Sequence, residues 1–352
     1  MAHYFPFSIQ LKQSLSILIL TFLMSALPLS TYGQQDEEIT FPLENFYAKR
    51  VKSPFRSILK NFVFSLSTGY GNTFLSHKLD GFGIAQADGV QPVIFPADGT
   101  NRYSNWVNFV QSQASGAGPD SFVVNSDTTK LGFKGNGLNI PLKLTVHYEF
   151  LKRYRVGGGL SYEAMFMGDF NPTNYKDRIE TFRPGNPEGI MKKYFGMLGV
   201  SFYRWHNLLF TGDVNVGGYS PGNNFAKDLI KKGVYVNAGF TIEHELSEYL
   251  RLFARPSFEI KNYTLTIPGS NDRSIVHNMN AFYLNVGLSY SIPELPRCYH
   301  PDCHAQINHA HGNKEYRSRM HAFYKKQNPH YGENYPKLIK EKRKNRKKLN
   351  PY

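Results

Sequence analysis

Apolar and polar residues alternate one for one over Leu138–Phe150, LNIPLKLTVHYEF. Leu138, Ile140, Leu142, Leu144, Val146, Tyr148 and Phe150 fall on one side, and Asn139, Pro141, Lys143, Thr145, His147 and Glu149 on the other. A strand turns successive side chains to opposite faces, so this pattern predicts a strand with one apolar and one polar face. Seven more segments repeat it: Phe62–Leu75, Tyr154–Phe166, Tyr194–Tyr203, Leu208–Gly218, Val234–His244, Leu250–Asn262 and Asn280–Ile292. That makes eight strands, mostly about 10–13 residues long, where about 5–6 is usual.

Two architectures use such strands. In a soluble sandwich the apolar faces meet each other. In a transmembrane barrel they meet lipid, and the polar faces line the interior. The strand length suits a tilted membrane crossing. The polar faces carry Gly and charges of both signs. The connections also alternate in length. Leu151–Arg153, Arg204–Asn207 and Glu245–Tyr249 are short, whereas residues 76–137, 168–193, 219–233 and 263–279 form long ones. Short turns at one end and long loops at the other are expected of an outer-membrane barrel, the short turns being periplasmic. The expected fold class is therefore all-β, an eight-stranded antiparallel transmembrane β-barrel over 61–292. An irregular basic tail over 293–352 follows it on the periplasmic side.

Over Asn61–Ile292 the chain resembles the small eight-stranded outer-membrane barrels of didermic bacteria, of the OmpA/OmpX kind. It resembles especially the outer-membrane β-barrel proteins of Bacteroidota. Within the last strand, Asn285-Val-Gly287-Leu-Ser-Tyr290-Ser-Ile292 looks like the barrel assembly signal. That resemblance gives Asn285, Gly287, Tyr290 and Ile292 a role in recognition during insertion.

The inward faces carry Lys143, Arg155, Arg251, Arg255 and Lys261 against Glu149, Glu163, Asp213, Glu243 and Glu259, a balanced set that predicts pairing. An interior this narrow is expected to be filled by side chains, with a narrow ion path as the alternative. No catalytic constellation is legible. His147 faces inward, no Ser has outward parity to join His244, and Gly157-Gly158-Gly159 precedes no helix, so it is no nucleotide fingerprint. The three glycines are expected to make room for bulky inward neighbours. The long first loop, with Trp106, Phe109 and the small-residue stretch Ser112–Pro119, is either a binding loop or a mobile cover.

Leu15–Leu29 is a long apolar run, preceded by Lys12 and ending in Thr31-Tyr32-Gly33. It reads as a secretory signal peptide over 1–33, with an uncleaved anchor as the alternative, followed by a periplasmic segment over 34–60. Of 352 residues, 41% are hydrophobic and 15% aromatic, which excludes disorder. The net charge of +14 is concentrated at the end: residues 297–352 hold 14 of the 41 Lys/Arg and four of the 27 acidic residues. A near-neutral body with a basic tail, exported, is not a nucleic-acid binder.

The tail holds both cysteines and six of the 12 histidines. Cys298, Cys303, His309 and His311 form C-x4-C-x5-H-x-H, a candidate zinc set, with a Cys298–Cys303 disulfide as the alternative in an oxidising compartment. Tyr324, Tyr331 and Tyr335 lie in a Pro- and Gly-rich stretch suited to an extended path along a partner, with a disordered linker as the alternative. Lys342, Arg343, Lys344, Arg346, Lys347 and Lys348 form a basic end. Its expected partners are anionic lipid, peptidoglycan or an envelope protein, beside the outer-membrane lipid around the barrel, with a solvated end that only aids solubility as the alternative. The function expected is a non-enzymatic barrel that anchors a periplasmic interaction tail, as an accessory or structural subunit of an envelope complex. A narrow pore and a metal-handling protein are the alternatives.

Overall fold

Eight strands close on themselves through antiparallel pairing, each in the order of the chain. They are β1 (Phe62–Lys78), β7 (Gly132–Phe150), β8 (Tyr154–Pro172), β9 (Glu188–Trp205), β10 (Leu208–Pro221), β11 (Ile230–Glu245), β12 (Leu250–Thr266) and β13 (Ser274–Ser291). β1 meets β7 on one side and β13 on the other, which closes the ring and leaves no free edge. The structure, a computed structural model, describes residues 54–317 apart from 98, 114–119, 121, 128, 152, 248, 271–272, 300–308 and 312–313. The expected signal peptide over 1–33, residues 34–53 of the expected N-terminal segment and residues 318–352 of the tail lie outside the described residues.

The alternation assigns the faces as expected. Leu66, Leu144, Leu160 and Leu288 are exposed on the outside, and register joins them: Leu288 pairs with Leu66, Leu66 with Leu144, and Leu144 with Leu160. Phe258, Ile260, Phe282, Leu284 and Val286 continue this belt. So large an apolar surface around a closed barrel is stable against lipid and not against water. Near the short-turn end the outside turns aromatic. Phe150 stacks on Tyr154 at 5.4 Å, Tyr203 lies 5.6 Å from Phe210, and Tyr249 lies 6.0 Å from Tyr290. Such rings mark a membrane interface. Among the described residues no helix is long and apolar enough to cross a membrane.

The strands run 14 to 19 residues, beyond the expected 10–13. The excess lies at the long-loop end, where pairing continues past the belt because the loops supply an apolar filling for the inner faces. The first long connection is not a simple cover. It contains β2 (Phe82–Gln86), β3 (Val93–Pro96), β4 (Arg102–Trp106), β5 (Val110–Gln113) and β6 (Phe122–Asn125), one sheet in the order β5-β4-β3-β2-β6. At the opposite end a six-residue helix, α1 (Pro54–Leu59), precedes β1. The short turns there are tight, and Leu151 and His206 take positive φ of 53° each to close them. After β13 the tail is not wholly irregular: β14 (His309–His311) and β15 (Lys314–Tyr316) pair as a small hairpin.

Candidate functional site

The interior is built in storeys. Nearest the short turns, Glu149, Arg155, Glu243 and Arg251 project from β7, β8, β11 and β12. Arg155 grips Glu243 with two nitrogens, and its Nη2 also lies 2.9 Å from Glu149. Arg251 Nη1 reaches Glu149 at 2.9 Å and Glu243 at 3.3 Å. One storey up, Arg255 Nε donates to Asp213 at 2.8 Å, and Thr241 donates its hydroxyl to the same carboxylate at 2.8 Å. Gly239 faces Arg255; a Cβ there would fall 2.5 Å from its guanidinium.

The third storey is a square of two ammoniums and two carboxylates. Lys193 Nζ lies 2.5 Å from Glu163 and 2.7 Å from Glu259. Lys261 Nζ lies 2.8 Å from Glu259 and 3.3 Å from Glu163. Tyr283 and Asn139 donate to Glu163 at 2.8 and 2.6 Å. All four charges are buried, which is tolerable only with such complete pairing.

Above the square the filling becomes apolar. Met165, Met191, Phe133, Phe170 and Phe182 gather around Trp106, which the inserted sheet delivers into the barrel. Trp106 stacks on Phe182 at 4.0 Å and donates its indole N–H to Nε2 of His77 at 2.9 Å. Tyr263 from the barrel wall donates to the carbonyl of Val107 at 2.6 Å, so barrel and insert are joined. A vestibule of about 1380 Å³, open to solvent, lies at the short-turn end and is bounded inward by Glu149, Arg155 and Arg251, and a smaller space of about 490 Å³ lies deeper, between Arg155 and Arg255.

The expected lumen residues are therefore brought together, with one correction. The set is six cations to five carboxylates, because Lys193 also faces inward. The reading of β9 began at Tyr194, since the exposed Lys192 beside Lys193 broke the apolar run. Carried two residues further back, the inward series Met191, Lys193, Phe195 would have found it. Lys143 is the cation left without a carboxylate among the described ion pairs. It lies 4.5 Å from the Phe195 ring centroid, and Asn215, with its amide oxygen turned inward, accepts from it at 2.9 Å. His147 faces inward and is buried. Gly157 and Gly159 leave room as expected: a Cβ at Gly157 would fall 2.6 Å from that of His147, and one at Gly159 would fall 2.8 Å from the Phe195 ring.

The candidate assembly-signal residues are in place on or beside β13. Asn285 is buried and faces inward, and Tyr290 is exposed on the outside. Ile292 follows the strand's last residue. Gly287 also has a packing reason to be glycine. A Cβ there would lie 2.5 Å from that of Ser67 and 2.8 Å from the Phe253 ring.

The tail's root is tied to the short-turn end of the barrel. Lys60 pairs with Glu294 at 3.0 Å. The Arg317 guanidinium lies 4.7 Å from the Tyr249 ring, and its backbone N–H donates to Pro296 at 2.9 Å. Of the four candidate metal ligands, Cys298, His309 and His311 come together, and Cys303 lies outside the described residues. So do Tyr324, Tyr331, Tyr335, Lys342, Arg343, Lys344, Arg346, Lys347 and Lys348.

No family model matches the chain, and no curated protein matches it. Solved structures superpose loosely. The outer membrane protease OmpT from Escherichia coli is 12% identical, with 66% of this chain and 97% of that one covered at a TM-score of 0.30. The outer membrane protein OprG from Pseudomonas aeruginosa is 9% identical, with the same coverage and a TM-score of 0.33. The transport unit of the autotransporter AIDA-I from Escherichia coli is 9% identical, covering 66% and 90%, at 0.24. Superpositions this loose carry no argument about activity, and the barrel's nature rests on its own closure, belt and interior.

Proposed function

We propose that this chain is a non-enzymatic barrel of the outer membrane that anchors a periplasmic interaction tail, as an accessory or structural subunit of an envelope complex. The observation that carries the reading is the filled lumen. Three storeys of paired charge and an apolar plug stand in series along the axis. A solute entering the vestibule meets Arg155 and Arg251 already bonded to Glu149 and Glu243. A barrel closed in this way serves as an anchor rather than a conduit.

Three further points support the reading. Each lumen carboxylate is held by Arg or Lys, which leaves none poised as a general base. Both strand-bearing ends of the barrel, β1 and β13, start or finish at the short-turn end, so the tail leaves on that side. The strand pattern's resemblance to OmpA/OmpX-kind and Bacteroidota barrels agrees with an outer-membrane place. The basic end beyond Arg317 has the charge to meet anionic lipid, peptidoglycan or an acidic protein.

Two measurements test this together. The purified full chain should be silent in planar bilayers; steady ion-sized conductance would replace the anchor reading with the pore. A chain ending at Arg317 should still insert and show heat-modifiable mobility, yet lose co-purification with its envelope partners. Unchanged partners and growth would leave the tail as a solvated end and remove the interaction reading.

A further inference from the structure

We propose that Cys298, His309 and His311 form a binding site for a thiophilic divalent first-row transition metal, of the zinc class, at the root of the tail. Cys298 is 3% exposed, and its Sγ lies 3.3 Å from Nε2 of His311. His309 and His311 are alternate residues of β14, so both rings leave the same face of the strand. Their centroids are 4.9 Å apart. One donor atom from each of the three residues lies within 4.8 Å of the others. A tetrahedral zinc with Zn–S near 2.3 Å and Zn–N near 2.0 Å holds its donors roughly 3.3–3.6 Å apart. The cluster therefore needs shifts on the order of 1 Å to close on an ion.

The donor chemistry narrows the class. One thiolate and two imidazoles suit zinc or copper, whereas calcium and magnesium take oxygen ligands. The surroundings are ordered for the task. The hairpin of β14 and β15 places Tyr316 opposite His309 in register, with its ring 5.6 Å from that of His311. Tyr299 packs edge-on against Tyr316 at 5.5 Å. Tyr316 is buried and covers the two imidazoles on one side, and an apolar neighbour of this kind limits solvent access to a metal. A backbone bridge between Arg297 and Arg317 brings the two ends of the segment together beside the Cys. The described residues supply three donors, and the fourth position on the ion would take solvent or another donor.

A metal here would join Cys298, seven residues past the end of β13, to the hairpin that follows. It would clip the tail into a loop at its exit from the barrel, the way small metal domains couple binding to order. The same Sγ cannot serve both a metal and a disulfide with Cys303, so the two uses exclude each other. The site stands whether or not the barrel is an anchor.

The test uses the full chain in detergent, with Cys303→Ser to keep the Cys298 thiol available. Zinc analysis should give one ion per chain. Cobalt in its place should show the near-ultraviolet charge-transfer band of a thiolate ligand. Cys298→Ser on that background should abolish the band. His309→Ala with His311→Ala should weaken binding by more than the roughly 10–100-fold that losing a mere supporting residue costs. Trypsin should cut after Lys314 and Arg317 more slowly with zinc than with chelator. The eight barrel strands precede the site, so heat-modifiable mobility reports that each variant is folded. Cobalt bound without the thiolate band, or equal affinity after Cys298→Ser, would overturn the proposal. So would a wild-type chain from native membranes that holds Cys298 wholly in a disulfide and takes no metal.

Discussion

A buried carboxylate inside a barrel is held by the opposite charge around it, and Glu163 shows how far that goes here. It lies between Lys193 and Lys261 and accepts from Tyr283 and Asn139 as well. Removing one member of a buried pair leaves the other uncompensated, at about 3–5 kcal/mol. Glu163→Gln should therefore lower the unfolding free energy of the detergent-solubilised barrel by that order, read from its denaturant midpoint and slope. Glu163→Gln with Lys193→Met should recover part of the loss, since the square then keeps one charge of each sign. A double variant no more stable than the sum of the singles would show that the square is not coupled. Space is as exacting as charge. Gly239→Ala would push against the Arg255 guanidinium, whereas a Cβ at Gly212, on the outward face, meets its nearest atom at 3.9 Å. Thermal unfolding should separate the two: Gly239→Ala destabilised, Gly212→Ala close to wild type. The inward parity of Arg155, Asp213, Glu243 and Arg255 was legible from alternation alone. Who pairs with whom was not, because partners such as Arg155 and Glu243 sit on strands far apart in sequence.

At the scale of elements, the barrel strands were legible and the insert was not, for one reason. A barrel strand has lipid on one side and polar lumen on the other, so its sequence alternates. β2, FGIAQ, is buried on both faces, and its neighbours in the insert are four or five residues long. Short strands without alternation leave no period to read. Trp106 therefore looked like a loop residue, although it is the centre of the plug. The lower storeys do not depend on that plug, since their partners all come from β7 to β13. Replacing residues 82–126 with a short polar link should leave a barrel that inserts and still does not conduct, because the charge storeys remain. Single-channel recording checks this. Open channels in the shortened chain would make the insert the sole seal, and the paired charges would then line a path.

For the whole molecule, the decisive quantity is direction, since an anchor for a periplasmic tail works one way round only. Length of connection carries that argument. Residues 151–153, 206–207 and 246–249 make the short turns, and the opposite end carries the insert and the loops 173–187, 222–229 and 267–273. Outer-membrane barrels carry their short turns on the periplasmic side, so the proposed orientation puts this end there. Aromatic rings such as Phe150, Tyr154 and Tyr249 cluster at that end, where a membrane interface would hold them. Single cysteines placed at both ends, in a chain with Cys298→Ser and Cys303→Ser, decide the matter. Lys176 is exposed in the loop between β8 and β9, and Leu151 is 74% exposed in the turn between β7 and β8. A membrane-impermeant maleimide on intact cells should label Lys176→Cys and spare Leu151→Cys, and should label both after the outer membrane is opened. Labelling of Leu151→Cys alone on intact cells would turn the barrel over and put the tail outside. Its basic end would then face the cell's surroundings instead of the periplasmic anions proposed for it.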